Sequence, residues 1–95
     1  MIRTLKKIII TNSGDEINFI NGELDINIDG FKKSWCVNLQ GIETLGVLDK
    51  IFSGNNNVEV ELISINNEKF IGNIIIEEIQ NDRAKLLGSG PINLK

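Results

Sequence analysis

Glu23 to Leu39 read ELDINIDGFKKSWCVNL, and this stretch decides the fold class. Its first half places apolar side chains at every second position: Leu24, Ile26 and Ile28. Its second half repeats the pattern with Trp35, Val37 and Leu39. A period of two residues indicates β-strands, and Asp29-Gly30 between the two runs is typical of a tight hairpin turn. We therefore predict two antiparallel strands, each with one buried face and one solvated face.

The same signals recur along the rest of the chain. Asn21-Gly22 lies between Glu16–Ile20 and the run that begins at Glu23, and it predicts a further hairpin with a type I′ turn. β-Branched and aromatic residues favour strands in five other segments: Arg3–Thr11, Val58–Leu62, Glu68–Ile79, Arg83–Leu87 and Ile92–Leu94. Turn residues separate them at Asn12–Asp15, Asn66-Asn67, Asn81-Asp82 and Gly88–Pro91.

One segment has a different period. Apolar residues recur every three to four positions at Ile42, Leu45, Leu48 and Ile51-Phe52. This spacing predicts one short amphipathic helix from Ile42 to Phe52. Gly46 in its middle costs about 1 kcal/mol relative to alanine.

The predicted fold is mainly β: a small antiparallel β-barrel or sandwich of six to eight short strands with that helix, in a single domain over residues 1–95. Ile74-Ile75-Ile76 is apolar on both faces of its strand, so it needs cover from the helix, from sheet closure or from a second subunit. Gly72 predicts a bulge or bend in the same strand.

A family resemblance supports a bent sheet. Val58–Leu62, followed by Phe70, Gly72 and Ile74–Glu77, resembles the first half of an Sm-like or SH3-like small barrel. The resemblance implies a strongly bent antiparallel sheet. The later segment Leu86–Gly90 does not match the second Sm-like motif, so no RNA-binding residue is transferred to this chain.

Composition excludes several classes of function. The 95 residues contain no histidine and carry a formal net charge of -3. Without imidazole there is no Ser-His or Cys-His pair and no histidine-bearing metal site, so we expect no catalytic residues, no cofactor and no metal. The acidic balance argues against nucleic acid as a partner, because that affinity comes from clustered cations.

The chain also shows no sign of export or membrane insertion. It has a single cysteine, Cys36, no signal peptide, and no apolar stretch near the ~20 residues of a membrane helix. We expect a cytoplasmic protein that does not bind a membrane. Isoleucine and asparagine make up a third of the chain, which suggests a low-GC bacterium or its phage, and in the latter case the host cytoplasm.

Four motifs resemble metal-binding or catalytic sites but have simpler structural interpretations. Asp25–Gly30 matches the start of an EF-hand loop, but the twelfth position is Cys36 instead of glutamate, so we predict an acidic strand face. Cys36 itself fits a small buried apolar residue better than a nucleophile. The carboxylate pairs Asp15-Glu16 and Glu77-Glu78 are adjacent, so on regular strands each pair points to opposite faces. Gly88–Pro91 lacks the lysine of a phosphate-binding loop.

Cations form three clusters along the chain: Arg3-Lys6-Lys7, Lys32-Lys33 and Arg83-Lys85. Neighbouring lysines point apart on a regular strand, so these clusters fit solvated surface charge. If members of the clusters converge, they can hold a small anionic ligand. The candidate ligand-binding residues are Lys32, Lys33, Trp35, Arg83 and Lys85.

These observations favour a non-enzymatic binding or assembly module, and we expect a homo-oligomer that supplies cover for apolar strands. The alternative is a phage-encoded inhibitor of host defence. It would either occupy a nuclease through Asp25, Asn27 and Asp29, or sequester a nucleotide signal through cations such as Lys32, Lys33 and Arg83. A phage structural protein is the third interpretation. A protein partner or a small anionic ligand fits these functions, and the sequence leaves the partner, the strand order and the subunit number open.

Overall fold

The computed structural model describes residues 1–43 and 57–95, and 73% of these residues lie in strands. All strand pairings are antiparallel. The seven strands are β1 (Ile2–Ile10), β2 (Glu16–Ile17), β3 (Asn21–Asp29), β4 (Lys32–Gln40), β5 (Val58–Ser64), β6 (Lys69–Gln80) and β7 (Arg83–Leu94).

Six of the strands close into a barrel. Around the barrel the order is β1, β3, β4, β7, β6, β5, and β5 pairs again with β1. The short strand β2 adds two paired positions beside Ile8 and Ile9 of β1. The structure therefore confirms the predicted small antiparallel barrel. It also shows that sheet closure covers Ile74, which is fully buried, whereas Ile75 faces outward.

The predicted helix from Ile42 to Phe52 lies almost entirely outside the described residues. Only Ile42 and Glu43 of that segment are described, and neither belongs to a helix. The residues that the structure describes contain no helix at all.

Side chains that point inward, at every second position along the strands, fill the interior of the barrel. Trp35 is its largest side chain, and its indole Nε1 donates a hydrogen bond to the Gly90 carbonyl at 3.0 Å. Its ring lies against the backbones of Gly72 and Gly88, where no Cβ atom intervenes. The same buried core contains aliphatic side chains from every barrel strand, among them Leu5, Leu24, Val37, Leu62, Ile74 and Leu86.

The hairpin predicted at Asn21-Gly22 is wrong. Both residues belong to β3, where they pair with Gln40 and Leu39 of β4. Gly22 is used for close packing: a Cβ atom there would lie 2.6 Å from the Phe19 ring. The glycine therefore makes room for an aromatic side chain instead of forming a turn.

The predicted turn at Gly88–Pro91 is also wrong, because β7 continues through it as a bulge. The register between β6 and β7 shifts between Gly72 and Asn73, which leaves Gly90 and Pro91 as extra residues on β7. Gly90 has a φ of 87°, a conformation that favours glycine. The irregularity predicted at Gly72 is present as a register shift, but the bulged strand is β7 and not β6. Turns are confirmed at Asn67 and Asn81, which have φ values of 66° and 58°.

Two further bulges correct the predicted directions of adjacent charged side chains. The register shifts between Leu5 and Lys7 of β1 and between Ile76 and Glu78 of β6. An extra residue in a strand interrupts the in-out alternation. As a result Lys6 and Lys7 are both exposed, and so are Glu77 and Glu78.

Cys36 and Ile28 also differ from their predicted environments. Cys36 lies half-buried on the outer face of β4, between Asp25 and Leu87 of the neighbouring strands. Ile28 has the same parity as Leu24 and Ile26 but is 73% exposed. The reason is that the β3–β4 hairpin extends past the core.

Candidate functional site

A polar groove of about 380 Å³ crosses the outer face of four neighbouring strands, β3, β4, β7 and β6. Its polar lining consists of Glu23, Asn38, Gln40, Glu78, Gln80, Arg83 and Lys85. We call this set the polar groove. A smaller depression of about 230 Å³, lined by Thr4, Asn21 and Gly22 in addition to three of the same residues, extends it towards β1.

Strand register explains why these side chains meet. Asn38 pairs with Glu23 on one side and with Lys85 on the other, and Lys85 pairs in turn with Glu78. Paired residues point to the same side of a sheet, so these four side chains form one row across four strands. The row is about 14 Å long at the usual strand spacing.

A second row runs beside the first. Gln40 pairs with Asn21 and with Arg83, and Arg83 pairs with Gln80. The two rows are two residues apart along each strand, which is about 7 Å. Between them, Leu39 and Ala84 point into the core, so the groove floor is backbone and its walls are polar side chains.

The groove contains two cations that differ in their ion pairing. Lys85 lies between two carboxylates, since Glu78 is its cross-strand neighbour and Glu77 Oε2 is 3.5 Å from its Nζ. This arrangement depends on the β6 bulge, which turns both glutamates outward. The Arg83 side chain is exposed and forms no ion pair or hydrogen bond with another described residue. Its guanidinium is therefore available to a ligand.

The structure brings together only two of the five candidate ligand-binding residues. Arg83 and Lys85 both line the polar groove. Lys32 and Lys33 begin β4, whereas Gln40, the partner of Arg83, ends it about 23 Å away. Lys33 Nζ reaches the Ile92 carbonyl at 3.5 Å. Trp35 is 4% exposed inside the barrel, so its ring is not accessible to a ligand on the outer face.

The sequence interpretation missed the polar residues that complete the groove. Asn38 and Gln40 alternate with the buried Val37 and Leu39, so their outward direction could be predicted from period alone. Their neighbours could not, because the pairing of β4 with β7 joins segments more than forty residues apart in the chain. The outward direction of Glu78 could not be predicted either, because it depends on the β6 bulge.

A separate depression beside β2 is larger than the polar groove, at about 510 Å³, but its two lysines already have side-chain partners. Lys7 Nζ is 2.6 Å from Glu16 Oε1, and Lys6 donates a hydrogen bond to the side chain of Asn67. Lys7 is paired with a carboxylate, and Lys6 keeps its charge but directs its ammonium group to Asn67, so neither side chain is unengaged as that of Arg83 is. We therefore regard the polar groove as the better candidate site.

The EF-hand-like string forms a strand, as predicted. Asp25, Asn27 and Asp29 lie on β3 and are spread over about 13 Å of extended chain, so they do not surround a common point. Asp25 Oδ1 is 3.9 Å from the N-terminal ammonium group of Met1. Among the described residues, no group of His, Cys, Asp or Glu side chains is arranged to hold a metal ion.

The fold and the groove together define a small closed antiparallel β-barrel with a polar outer groove. No protein-family model matches the chain, and no curated protein or solved structure is significantly similar to it. Within residues 1–43 and 57–95, no helix has the length and hydropathy that a membrane crossing requires.

Proposed function

We propose that this chain is a non-enzymatic binding module whose polar groove holds a small anionic ligand, and that the ligand is a nucleoside phosphate. The observation that carries the proposal is the position of Arg83, an exposed guanidinium without a described partner, in a row of carboxamides. A guanidinium presents paired N–H donors that match the geometry of phosphate oxygens.

The other groove residues suit the remaining parts of such a ligand. Asn38, Gln40 and Gln80 each offer a carbonyl oxygen and an NH₂ group, which can pair with the donor-acceptor edge of a base. The carboxylates of Glu23 and Glu78 can accept hydrogen bonds from sugar hydroxyl groups. A ligand with a phosphate, a sugar and a base uses all three kinds of side chain.

The dimensions of the groove are consistent with this class of ligand. Two rows about 7 Å apart and about 14 Å long accommodate one mononucleotide lying across the strands. A volume of about 380 Å³ lies within the range of ordinary small-molecule sites. An extended nucleic acid is disfavoured by the acidic groove residues and by the net charge of -3.

The spacing of the two carboxylates that line the groove argues against glycoside hydrolysis between them. Glu23 and Glu78 are on β3 and β6, with two strands between them, so they are about 14 Å apart. Glycoside hydrolysis requires a carboxylate pair separated by about 5–9.5 Å. The sequence also offers no histidine as a general base. Sequestering a nucleotide signal, as a phage inhibitor of host defence would do, fits this proposal better than occupying a nuclease.

Titration of the full chain with nucleoside monophosphates, ribose 5-phosphate and inorganic phosphate tests the proposal. We expect nucleotide binding to give a measurable heat in isothermal titration calorimetry and to shift the backbone NMR signals of residues 38–40 and 83–85. Arg83→Gln should weaken binding by about ten-fold or more, because it removes a charged hydrogen-bond donor. Lys69→Gln is the matched control, since Lys69 is an exposed cation outside the groove.

Two results would contradict the proposal. The first is the absence of binding by any of these compounds at millimolar concentration. The second is binding that Arg83→Gln and Lys69→Gln reduce equally. Conversion of a bound compound to a product, followed by NMR over hours, would contradict the non-enzymatic part while leaving the location of the site intact.

A further inference from the structure

The β3–β4 hairpin projects beyond the end of the barrel and exposes two large apolar side chains. On its β3 side, the last backbone contacts are between Ile26 and Met1: the Ile26 N–H donates to the Met1 carbonyl at 2.8 Å, and the Met1 ammonium group donates to the Ile26 carbonyl at 2.9 Å. Beyond that point lies the segment from Ile28 to Lys33, which we call the hairpin tip. Phe31 in the turn is fully exposed, and Ile28 is 73% exposed.

The turn geometry holds Phe31 in this position. Gly30 has a φ of 61°, whereas Phe31 has no positive φ, which fits a two-residue loop with glycine first. Asp29 and Lys32 pair directly across the base of this loop. The phenyl ring is therefore presented at the apex of a hydrogen-bonded ribbon instead of on an irregular loop.

Two of the three charges in the hairpin tip are self-complementary, and the third, Lys33, directs its Nζ to the Ile92 carbonyl. Asp29 and Lys32 are both exposed, and neither forms an ion pair with another described residue. In a two-fold contact, residue i of one copy faces residue j of the other, and the reverse also holds. Two hairpin tips packed in this way bring Asp29 of each copy to Lys32 of the other, on either side of the two phenyl rings.

We infer that two copies of this chain associate through their hairpin tips in a two-fold contact centred on Phe31. An anionic lipid surface would attract Lys32 and Lys33 but repel Asp29 and a chain of net charge -3, whereas a second copy pairs Asp29 with Lys32. One hairpin tip offers less area than the roughly 800 Å² per partner of a standard interface, so the dimer is a weak one. This inference is independent of the polar groove, which lies at the other end of β4.

Sedimentation velocity over a range of protein concentrations tests the dimer. We expect the wild-type chain to shift from monomer to dimer as concentration rises. Phe31→Ser should weaken the dimer about ten-fold, as truncation of a central aromatic residue does at other interfaces. Ile28→Ser should weaken it in the same direction. Ile20→Ser is the matched control, because Ile20 is also 73% exposed but precedes β3 at the opposite end of the barrel.

Charge reversal tests the two-fold geometry. Asp29→Lys and Lys32→Asp should each abolish the dimer by placing like charges together. The double variant Asp29→Lys/Lys32→Asp should restore it, because the pair is only exchanged between copies. A chain that stays monomeric at millimolar concentration would overturn the inference, and so would a dimer that Phe31→Ser leaves unchanged. Flotation of the wild-type chain, but not Phe31→Ser, with phosphatidylserine vesicles would assign the hairpin tip to a lipid surface instead.

Discussion

The indole ring of Trp35 lies flat against Gly88, so close that a Cβ atom at position 88 would overlap the ring. The same ring reaches Gly72 on the neighbouring strand, where a Cβ atom would be 2.7 Å from Cζ2. Its Nε1 then bonds to the Gly90 carbonyl in the β7 bulge. One tryptophan thus fits into a gap that two glycines and a bulge create.

Gly88→Ala should lower the free energy of unfolding by about 1–3 kcal/mol, because the added methyl group displaces a large buried ring. Urea denaturation followed by circular dichroism measures the change. The penalty should shrink in a Trp35→Leu background, where the smaller side chain leaves room for the methyl group. An equal penalty in both backgrounds would show that backbone conformation, and not the ring, requires the glycine.

Variants of Asn21 and Gly22 test whether this segment is a strand, as in the structure, or the turn predicted from the sequence. Because Asn21 is an exposed strand residue, Asn21→Thr should leave the free energy of unfolding unchanged or slightly raised. In a type I′ turn the same change would destabilise, since threonine disfavours positive φ. Gly22→Ala should destabilise by about 1–3 kcal/mol through its clash with Phe19. Urea denaturation of both variants distinguishes the two geometries.

The ion pair between Lys85 and Glu77 should limit the affinity of the polar groove for anions. Glu77→Gln releases Lys85 from one of its two neighbouring carboxylates, so the affinity for a nucleoside phosphate should rise about two- to five-fold, the range of a surface ion pair. Isothermal titration measures it. Glu16→Gln is the control, because it breaks a similarly exposed pair with Lys7 outside the groove. An unchanged affinity in Glu77→Gln would place Lys85 outside the binding contacts.

Local periodicity accounts for much of the fold. Alternation predicted the inward faces of β3 and β4, and turn residues predicted the ends of the β5–β6 and β6–β7 hairpins. The same local rules misplaced Asn21-Gly22 and Gly88–Pro91. Both segments combine residues that favour turns in isolation, but in the structure their small size serves packing against Phe19 and Trp35.

The amino-acid sequence alone determined that the chain is rich in strands, that it contains no imidazole, and that its acidic and apolar residues separate onto opposite strand faces. Only the tertiary structure decided that the sheet closes, that two bulges redirect charged residues, and that Arg83 and Lys85 meet Asn38 and Gln40 while Lys32 and Lys33 lie at the far end of β4. The physical reason is that side-chain direction within a strand follows from a two-residue period, whereas strand neighbours and bulges depend on contacts between segments distant in sequence.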